Sequence, residues 1–416
     1  MSQPAPISPY ATPAHILLKP AGPDCNLRCD YCFYLEKHAF FKEESRCRMS
    51  DFTLDHYTRS YIASQPTREV EFAWQGGEPT LMGLDFFRRA VELQKKYGQG
   101  RIINNSIQTN GTLLDDTWCE FLAKEKFLVG LSVDGPEPIH NRYRRYADGK
   151  GSFQKVMGAA RCMKKHGVEY NALTCVTRES AYEGRTIYQF LRESGFQFMQ
   201  FIPIVERHPD AESQKTGLAL AGPPSSDPAA PEDPPSVMPF TVEPAAFGDF
   251  LVAVFDEWIK RDVGRLFVNH FDVALASWTG ANPPLCVYSK VCGSALAVEH
   301  NGDVYACDHF VYPDFKRGNI MSGDLSQLIS CMPQRAFGMD KALGLTDDCK
   351  RCRHLRACHG GCLKHRFEKS PSGQPGHNYL CASYLKFFDH VAPYMEKMAE
   401  LQRQQRPPSD VMQMKI

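Results

Sequence analysis

A chain of 416 residues, 43% of them apolar, suits two or three domains and can bury a proper core. Lys plus Arg and Asp plus Glu stand at 48 each, so the charge gives no footprint for nucleic acid or an anionic membrane surface. No apolar run nears the ~18 residues a membrane helix needs, and the Pro/Ala/Ser-rich start lacks the basic and apolar parts of a secretory signal. Sixteen cysteines in such a chain point to metal or redox chemistry in the cytoplasm rather than to a disulfide framework.

After an N-terminal extension (1–14), short β-type runs alternate with helical patterns. Strands are predicted at His15–Pro20, Val70–Gln75, Ile102–Gln108, Leu128–Asp134, Tyr170–Val176 and Phe198–Val205. Helices are predicted at Thr53–Ser64, Leu84–Tyr97, Asp115–Glu125, Ser152–His166 and Tyr182–Glu193, with a sixth at Glu243–Lys260. Six strand–helix units imply a parallel sheet with right-handed crossovers. They are too few to close an eight-strand barrel, so residues 15–208 read as an open α/β partial (β/α)6 barrel. Such barrels carry their chemistry at the C-terminal ends of the strands.

Residues 209–240 are Pro-rich and read as a surface insertion or linker, more readily than as a lid. A helical connection (241–284) leads to a cysteine-rich domain (285–385), then to a C-terminal helix and a polar, frayed tail (386–416). Asn301-Gly302-Asp303, between Val298-Glu299-His300 and Val304-Tyr305-Ala306, marks a β-hairpin.

Cys25, Cys29 and Cys32 follow the first strand with spacing C-x3-C-x2-C. Three thiolates are one short of a closed four-ligand site, which leaves either an open metal position or a partial zinc site with a distant fourth ligand. The run Cys25–Tyr34 resembles the radical S-adenosylmethionine (SAM) family, in which a three-cysteine [4Fe-4S] cluster binds and cleaves SAM. That resemblance implies SAM contacts from Tyr31, from Gly76, Gly77 and Glu78 after the second strand, and from Ser132, Arg144 and Val205. Arg144 could equally be an exposed arginine in its Arg-rich loop.

Cys286, Cys292, Cys307, Cys349, Cys352, Cys358, Cys362 and Cys381 are too dense for one tetrahedral site, and zinc ribbons are the plain alternative. Their pattern resembles the SPASM extension of radical SAM enzymes. The resemblance implies two auxiliary [4Fe-4S] clusters, one on Cys286, Cys292, Cys307 and Cys362, the other on Cys349, Cys352, Cys358 and Cys381. The cofactors are then SAM and three [4Fe-4S] clusters. Cys47, Cys119, Cys162, Cys175 and Cys331 remain and read as small buried or loop residues.

The run Tyr305-Ala306-Cys307-Asp308-His309-Phe310-Val311-Tyr312-Pro313 resembles anaerobic sulfatase-maturating enzymes. These oxidise a Cys or Ser in a Cys/Ser-x-Pro-x-Arg segment of a sulfatase to Cα-formylglycine. The resemblance implies that Asp308 is the general base and that Tyr34 and Gln75 line the peptide site, with His309 structural. Without it, Asp308 is an ordinary turn aspartate. It further implies a flavodoxin- or ferredoxin-type electron donor. The even charge suggests a monomer, without nucleic-acid or membrane partners. The alternative is a SPASM maturase forming thioether or carbon–carbon links in a ribosomal peptide, disfavoured because only Met1–Ala14 precede the first strand. A non-catalytic electron carrier or zinc-stapled protein would leave the three-cysteine loop unexplained.

Overall fold

The computed structural model describes residues 13–42, 44–224, 236–281, 283 and 285–416. Most of the N-terminal extension and the centre of the Pro-rich insertion lie outside these residues. The strands are β1 (His15–Lys19), β2 (Glu69–Trp74), β3 (Ile102–Thr109), β4 (Phe127–Ser132), β5 (Glu169–Val176) and β6 (Phe198–Pro203), then β7 (Phe267–Val268), β8 (Ala295–Glu299), β9 (Asp303–Tyr305) and β10 (Lys316–Asn319). They form one sheet in the order β10-β9-β8-β1-β2-β3-β4-β5-β6-β7. Strands β1 to β7 pair in parallel.

The helices of the first half are α1 (Asp51–Ser64), α2 (Leu84–Tyr97), α3 (Asp116–Lys124), α4 (Glu137–Tyr143), α5 (Phe153–His166) and α6 (Gly184–Glu193). Local chemistry sets their ends. Ser50 Oγ and Asp115 Oδ1 accept from the backbone N–H of Thr53 and Trp118 and cap α1 and α3. Gly167, at φ 70°, closes α5 in the left-handed region. Between sheet and helices lies an apolar layer in which Tyr57 and Tyr61 stack and meet Phe72 edge-on.

The cysteine-rich domain shares its sheet with the barrel. Strand β8 pairs in parallel with β1, from His15↔Ala295 to Lys19↔Glu299, and the β8–β9 hairpin extends the barrel sheet. Sequence spacing finds the hairpin but not its partner, because 275 residues separate β1 from β8 and no periodicity reports such a pairing.

Further helices are α7 (Ala211–Thr216), α8 (Pro244–Trp258), α9 (Asn269–Thr279), α10 (Leu325–Ser330), α11 (Met332–Leu343), α12 (Asp347–Lys350), α13 (Leu355–Cys358) and α14 (Cys381–Arg403). Helix α14 starts on a cysteine and lies along α8, where Gly248 admits the Ser383 backbone and Phe255 meets Tyr394 at 5.3 Å. The tail is not frayed: residues Pro408–Gln413 form a 3-10 turn whose Val411 is buried. The described flanks of the Pro-rich insertion are not a plain surface loop either. Leu220 is buried against Tyr31, Ile204 and Phe240, and Glu36 Oε2 accepts from the Ala219 and Leu220 N–H groups at 2.9 and 2.8 Å.

Candidate active site

The three-cysteine loop leaves the C-terminal end of β1. Its entry is pinned to the end of β2 by Gly77 N–H to Gly22 O (2.8 Å) and Glu78 N–H to Asp24 O (2.7 Å). A Cβ on Gly77 would overlap the Asp24 carbonyl, so only glycine fits beside the chain entering Cys25. Gly76, at φ 133°, shapes the same crossing. These glycines serve a close approach of backbone to backbone.

Glu78 is fully buried and its carboxylate is consumed within the protein. It accepts from Thr80 N–H (3.0 Å), Thr80 Oγ1 (2.5 Å), Thr109 Oγ1 (2.7 Å) and Asn110 N–H (2.7 Å). It therefore ties β2 to β3, while Asn110 Nδ2 faces Cys25 Sγ at 3.8 Å. Burial, then the nearby Glu78 carboxylate, pushes the Cys25 thiol up to about 12. Burial also raises Cys29, which Arg144 lowers and the Cys32 and Cys25 thiols raise further, and it raises Cys32. Backbone N–H groups of Tyr34 and Leu35 point at Cys32 and oppose that rise.

On the other side of the loop, Asp134 is a hub that sequence reasoning missed. Its Oδ2 accepts from Tyr31 Oη (2.6 Å) and Arg144 Nε (2.8 Å), and its Oδ1 from Cys175 N–H (2.9 Å). Arg144 is buried, not exposed, 5.6 Å from the Tyr31 ring centre, and Nη2 reaches Cys175 Sγ at 3.4 Å. Cys175 also packs against the apolar cluster of Tyr31, Ile204, Leu220 and Phe240, as a small hydrophobe would. Ser132 ends β4. A cavity of about 230 Å³ opens beside it, lined by Asp134, Tyr143, Cys175, Thr177, Glu179 and Ser180. Val205 packs into the main core, and its neighbour Ile204 is the residue that meets Tyr31.

Asp308 follows β9 and reaches the last residue of β1. Asp308 is 7% exposed and forms an ion pair with Lys19, which is 1% exposed. Lys19 Nζ also donates to Gln75 Oε1 (3.3 Å) and stands 3.9 Å over the Tyr34 ring. Tyr34 Oη donates to Glu299, at the end of β8. Burial opposes charge on Asp308, yet Lys19, His309 and the Gln75 amide together hold its carboxyl below the ordinary value. Burial, then Lys364, lowers His309 to about 4, so its ring is neutral. It packs edge-on to Phe33 at 5.2 Å with Nδ1 buried and unpartnered. Gln75, Tyr34 and Asp308 come together as expected. Lys19 and Glu299 were not foreseen; a lysine within an otherwise apolar strand was the available signal.

The eight C-terminal cysteines sort into two neighbourhoods. Cys362 and Cys286 bear on Cys292 and Cys307, and Cys362 on Cys286. Cys349 and Cys352 bear on Cys358 and Cys381, and Cys381 on Cys358. Among the described residues, the groupings tight enough for a single ion, with ligand atoms all within 4.8 Å, include none of these eight or of Cys25, Cys29 and Cys32. Tetrahedral zinc with Zn–S near ~2.3 Å would draw its thiolates closer than that. The eleven thiols fit larger iron–sulfur clusters, three donors at one site and four at each of two others.

Comparison with known proteins agrees with this geometry. The model of the Radical SAM superfamily matches residues 20–191, and that of the SPASM iron-sulfur cluster-binding domain matches 286–353. The chain is 45% identical to a serine-type anaerobic sulfatase-maturating enzyme of Bacteroides thetaiotaomicron, over 97% of this chain and 96% of the relative. It is 34% identical to a cysteine-type anaerobic sulfatase-maturating enzyme of Clostridium perfringens, over 93% and 98%. The solved structure of native anSMEcpe with bound AdoMet and the Kp18Cys peptide superposes with a TM-score of 0.79 at 33% identity, covering 94% of this chain and 99% of that one.

Proposed function

Since the chain belongs to the anaerobic sulfatase-maturating enzymes of the radical SAM superfamily, we propose a role in that chemistry for each residue of its site. The enzyme oxidises an active-site Cys or Ser of a sulfatase to Cα-formylglycine. When bound, SAM and the three clusters supply the hydrogen-abstracting 5′-deoxyadenosyl radical and a sink for the second electron.

The protein's own part is positioning and proton transfer. Cys25, Cys29 and Cys32 hold the first cluster, and Tyr31, Gly76, Gly77, Ser132 and Arg144 shape the SAM side of the loop. Glu78 acts there through the Thr109–Asn110 backbone, and Val205 through the core behind Ile204. Cys286, Cys292, Cys307 and Cys362 hold one auxiliary cluster, and Cys349, Cys352, Cys358 and Cys381 the other. Asp308 accepts the proton from the target thiol or hydroxyl. Lys19 and Gln75 fix its carboxylate, and Gln75 with Tyr34 bounds the peptide on that side. The observation that carries this reading is the ion pair of Asp308 with Lys19, the last residue of β1, the strand from which the Cys25–Cys32 loop leaves.

The reading extends to a monomer working in the cytoplasm with a flavodoxin- or ferredoxin-type donor. Among the described residues no helix is long and apolar enough to cross a membrane. An anaerobic assay on matched Cys-x-Pro-x-Arg and Ser-x-Pro-x-Arg peptides, read by mass, tests it. The aldehyde should form on at least one. Cleavage of SAM with neither peptide oxidised, and with a thioether or carbon–carbon link formed in another peptide, would replace it with the alternative maturase.

A further inference from the structure

Two buried cations stand among the auxiliary cysteines. Lys341, on α11, is 1% exposed, and its Nζ donates to the carbonyls of Cys286 and of Val287, the latter at 2.8 Å. Arg366 is 7% exposed and spends its guanidinium on three carbonyls: Gly360 (3.0 Å), Lys341 (2.8 Å) and His359 (2.9 Å). A buried cation normally requires a carboxylate partner. The hydrogen bonds of these two go to carbonyl oxygens instead. The negative groups beside Lys341 are Cys362, Cys292 and Cys286. Beside Arg366 they are Cys349, Cys362, Cys358 and Cys292.

The placement is unequal. Lys341 is held on the carbonyls of Cys286 and Val287, within one set, whereas Arg366 is held on those of His359 and Gly360, between Cys358 of one set and Cys362 of the other. Arg366 also braces the turn that joins the sets. From Cys358 to Cys362 the chain passes through His359, Gly360 and Gly361, all left-handed, with φ of 48°, 72° and 63°. A Cβ on Gly360 would stand 2.6 Å from Arg366 Nη2. The guanidinium therefore fills the hollow of the turn between the two metal sites.

We propose that Lys341 and Arg366 are the resident counter-charges of the auxiliary clusters, and that their unequal placement makes the cluster on Cys286, Cys292, Cys307 and Cys362 the easier of the two to reduce. Reduction adds one electron and one negative charge to a cluster, and a fixed cation nearby favours the more negative form. Two cations act on the first set and one on the second. The first set also contains Cys307, next to Asp308, so the electron leaving the substrate meets the better acceptor first. The proposal rests on the two ligand sets assigned above.

The test is EPR-monitored redox titration of the full-length chain in a Cys25→Ala/Cys29→Ala/Cys32→Ala background, which removes the first cluster and leaves about eight irons. Cys292→Ser, by altering one couple, identifies which belongs to the first set. That couple should be the more positive. Lys341→Gln keeps a donor for the two carbonyls but removes the charge. It should lower the reduction constant of the first-set couple at least tenfold, about 59 mV for one electron, and leave the other within about threefold. Lys341→Arg should restore it, and Arg366→Met should lower both couples. Unmoved potentials in Lys341→Gln with eight irons intact would overturn the proposal. If Lys341→Gln sheds iron, Arg366→Met is read in its place, and failure of both couples to fall would overturn it equally. A background holding about four irons, before any cation is changed, would refute the ligand sets themselves.

Discussion

Lys19 and Asp308 form a buried ion pair although 289 residues separate them. Lys19 ends β1 and Asp308 follows β9, and the register Lys19↔Glu299 between β1 and β8 brings their side chains together. The pair therefore spans the seam between the barrel strands and the cysteine-rich region. It fixes a carboxylate beside the loop that carries Cys25, Cys29 and Cys32.

If Asp308 is the base, Asp308→Asn retains size and most hydrogen bonds but cannot take the proton. Formylglycine formation should fall by ~10²–10⁴-fold. Iron content and SAM binding should be unchanged, and deuterium from a Cβ-labelled peptide should still reach 5′-deoxyadenosine. An Asn variant with near wild-type turnover would remove Asp308 from the mechanism.

Lys19→Met leaves the Asp308 carboxylate buried without its cation. Breaking such a pair costs about 3–5 kcal/mol, most of it from the stranded charge. Chemical denaturation should show that loss, and Lys19→Met/Asp308→Asn should recover most of it without recovering activity. Equal losses in the single and double variants would mean that Lys19 matters for packing alone.

How much of this was legible beforehand follows from the range of each signal. Cysteine spacing is local, so the clustering of the cysteines could be read from the sequence, while the two ligand sets came from the family resemblance. Strand–helix alternation is also local, and the six barrel strands lie within a few residues of their predicted bounds. The β1–β8 pairing is not local, and with it went the roles of Lys19 and Glu299. Asp134 was hidden for another reason: Ser132-Val133-Asp134 reads as a strand end, and only the fold shows three donors converging on one carboxylate. The hydrogen bonds that Thr80, Thr109 and Asn110 give the Glu78 carboxylate were likewise beyond the reach of sequence.

Gly77 offers a way to separate loop geometry from ligand contact. Any side chain there meets the Asp24 carbonyl, a backbone atom that cannot swing away. Gly77→Ala should cost about 1–3 kcal/mol through overpacking and displace the entry to Cys25. The reconstituted variant should hold about eight irons instead of twelve, with the auxiliary EPR signals retained. Full iron loading together with weakened SAM binding would show instead that Gly77 acts on the cofactor directly.

The response to acid should have a contribution from His270, far from the cysteine loop. It lies on α9 between Phe247 and Tyr288, with ring centres 5.9 Å away in each case, and its Nδ1 is buried without a partner. Burial lowers its pKa from 6.5 to about 4. The unfolded chain therefore binds a proton that the folded chain refuses between those two values. Stability from this residue is complete above pH 6.5, falls as pH drops through the window, and is lost below about 4. The full difference is on the order of 3 kcal/mol, from about 1.4 kcal/mol per unit. His270→Phe fits an aromatic environment and removes both the orphaned nitrogen and the titration. Urea midpoints of the loaded enzyme should be equal to or above wild type at pH 7.5 and fall less steeply towards pH 5.5 (values chosen to straddle the ~6.5 reference). Parallel slopes for the two proteins would show that His270 takes up its proton without unfolding its surroundings.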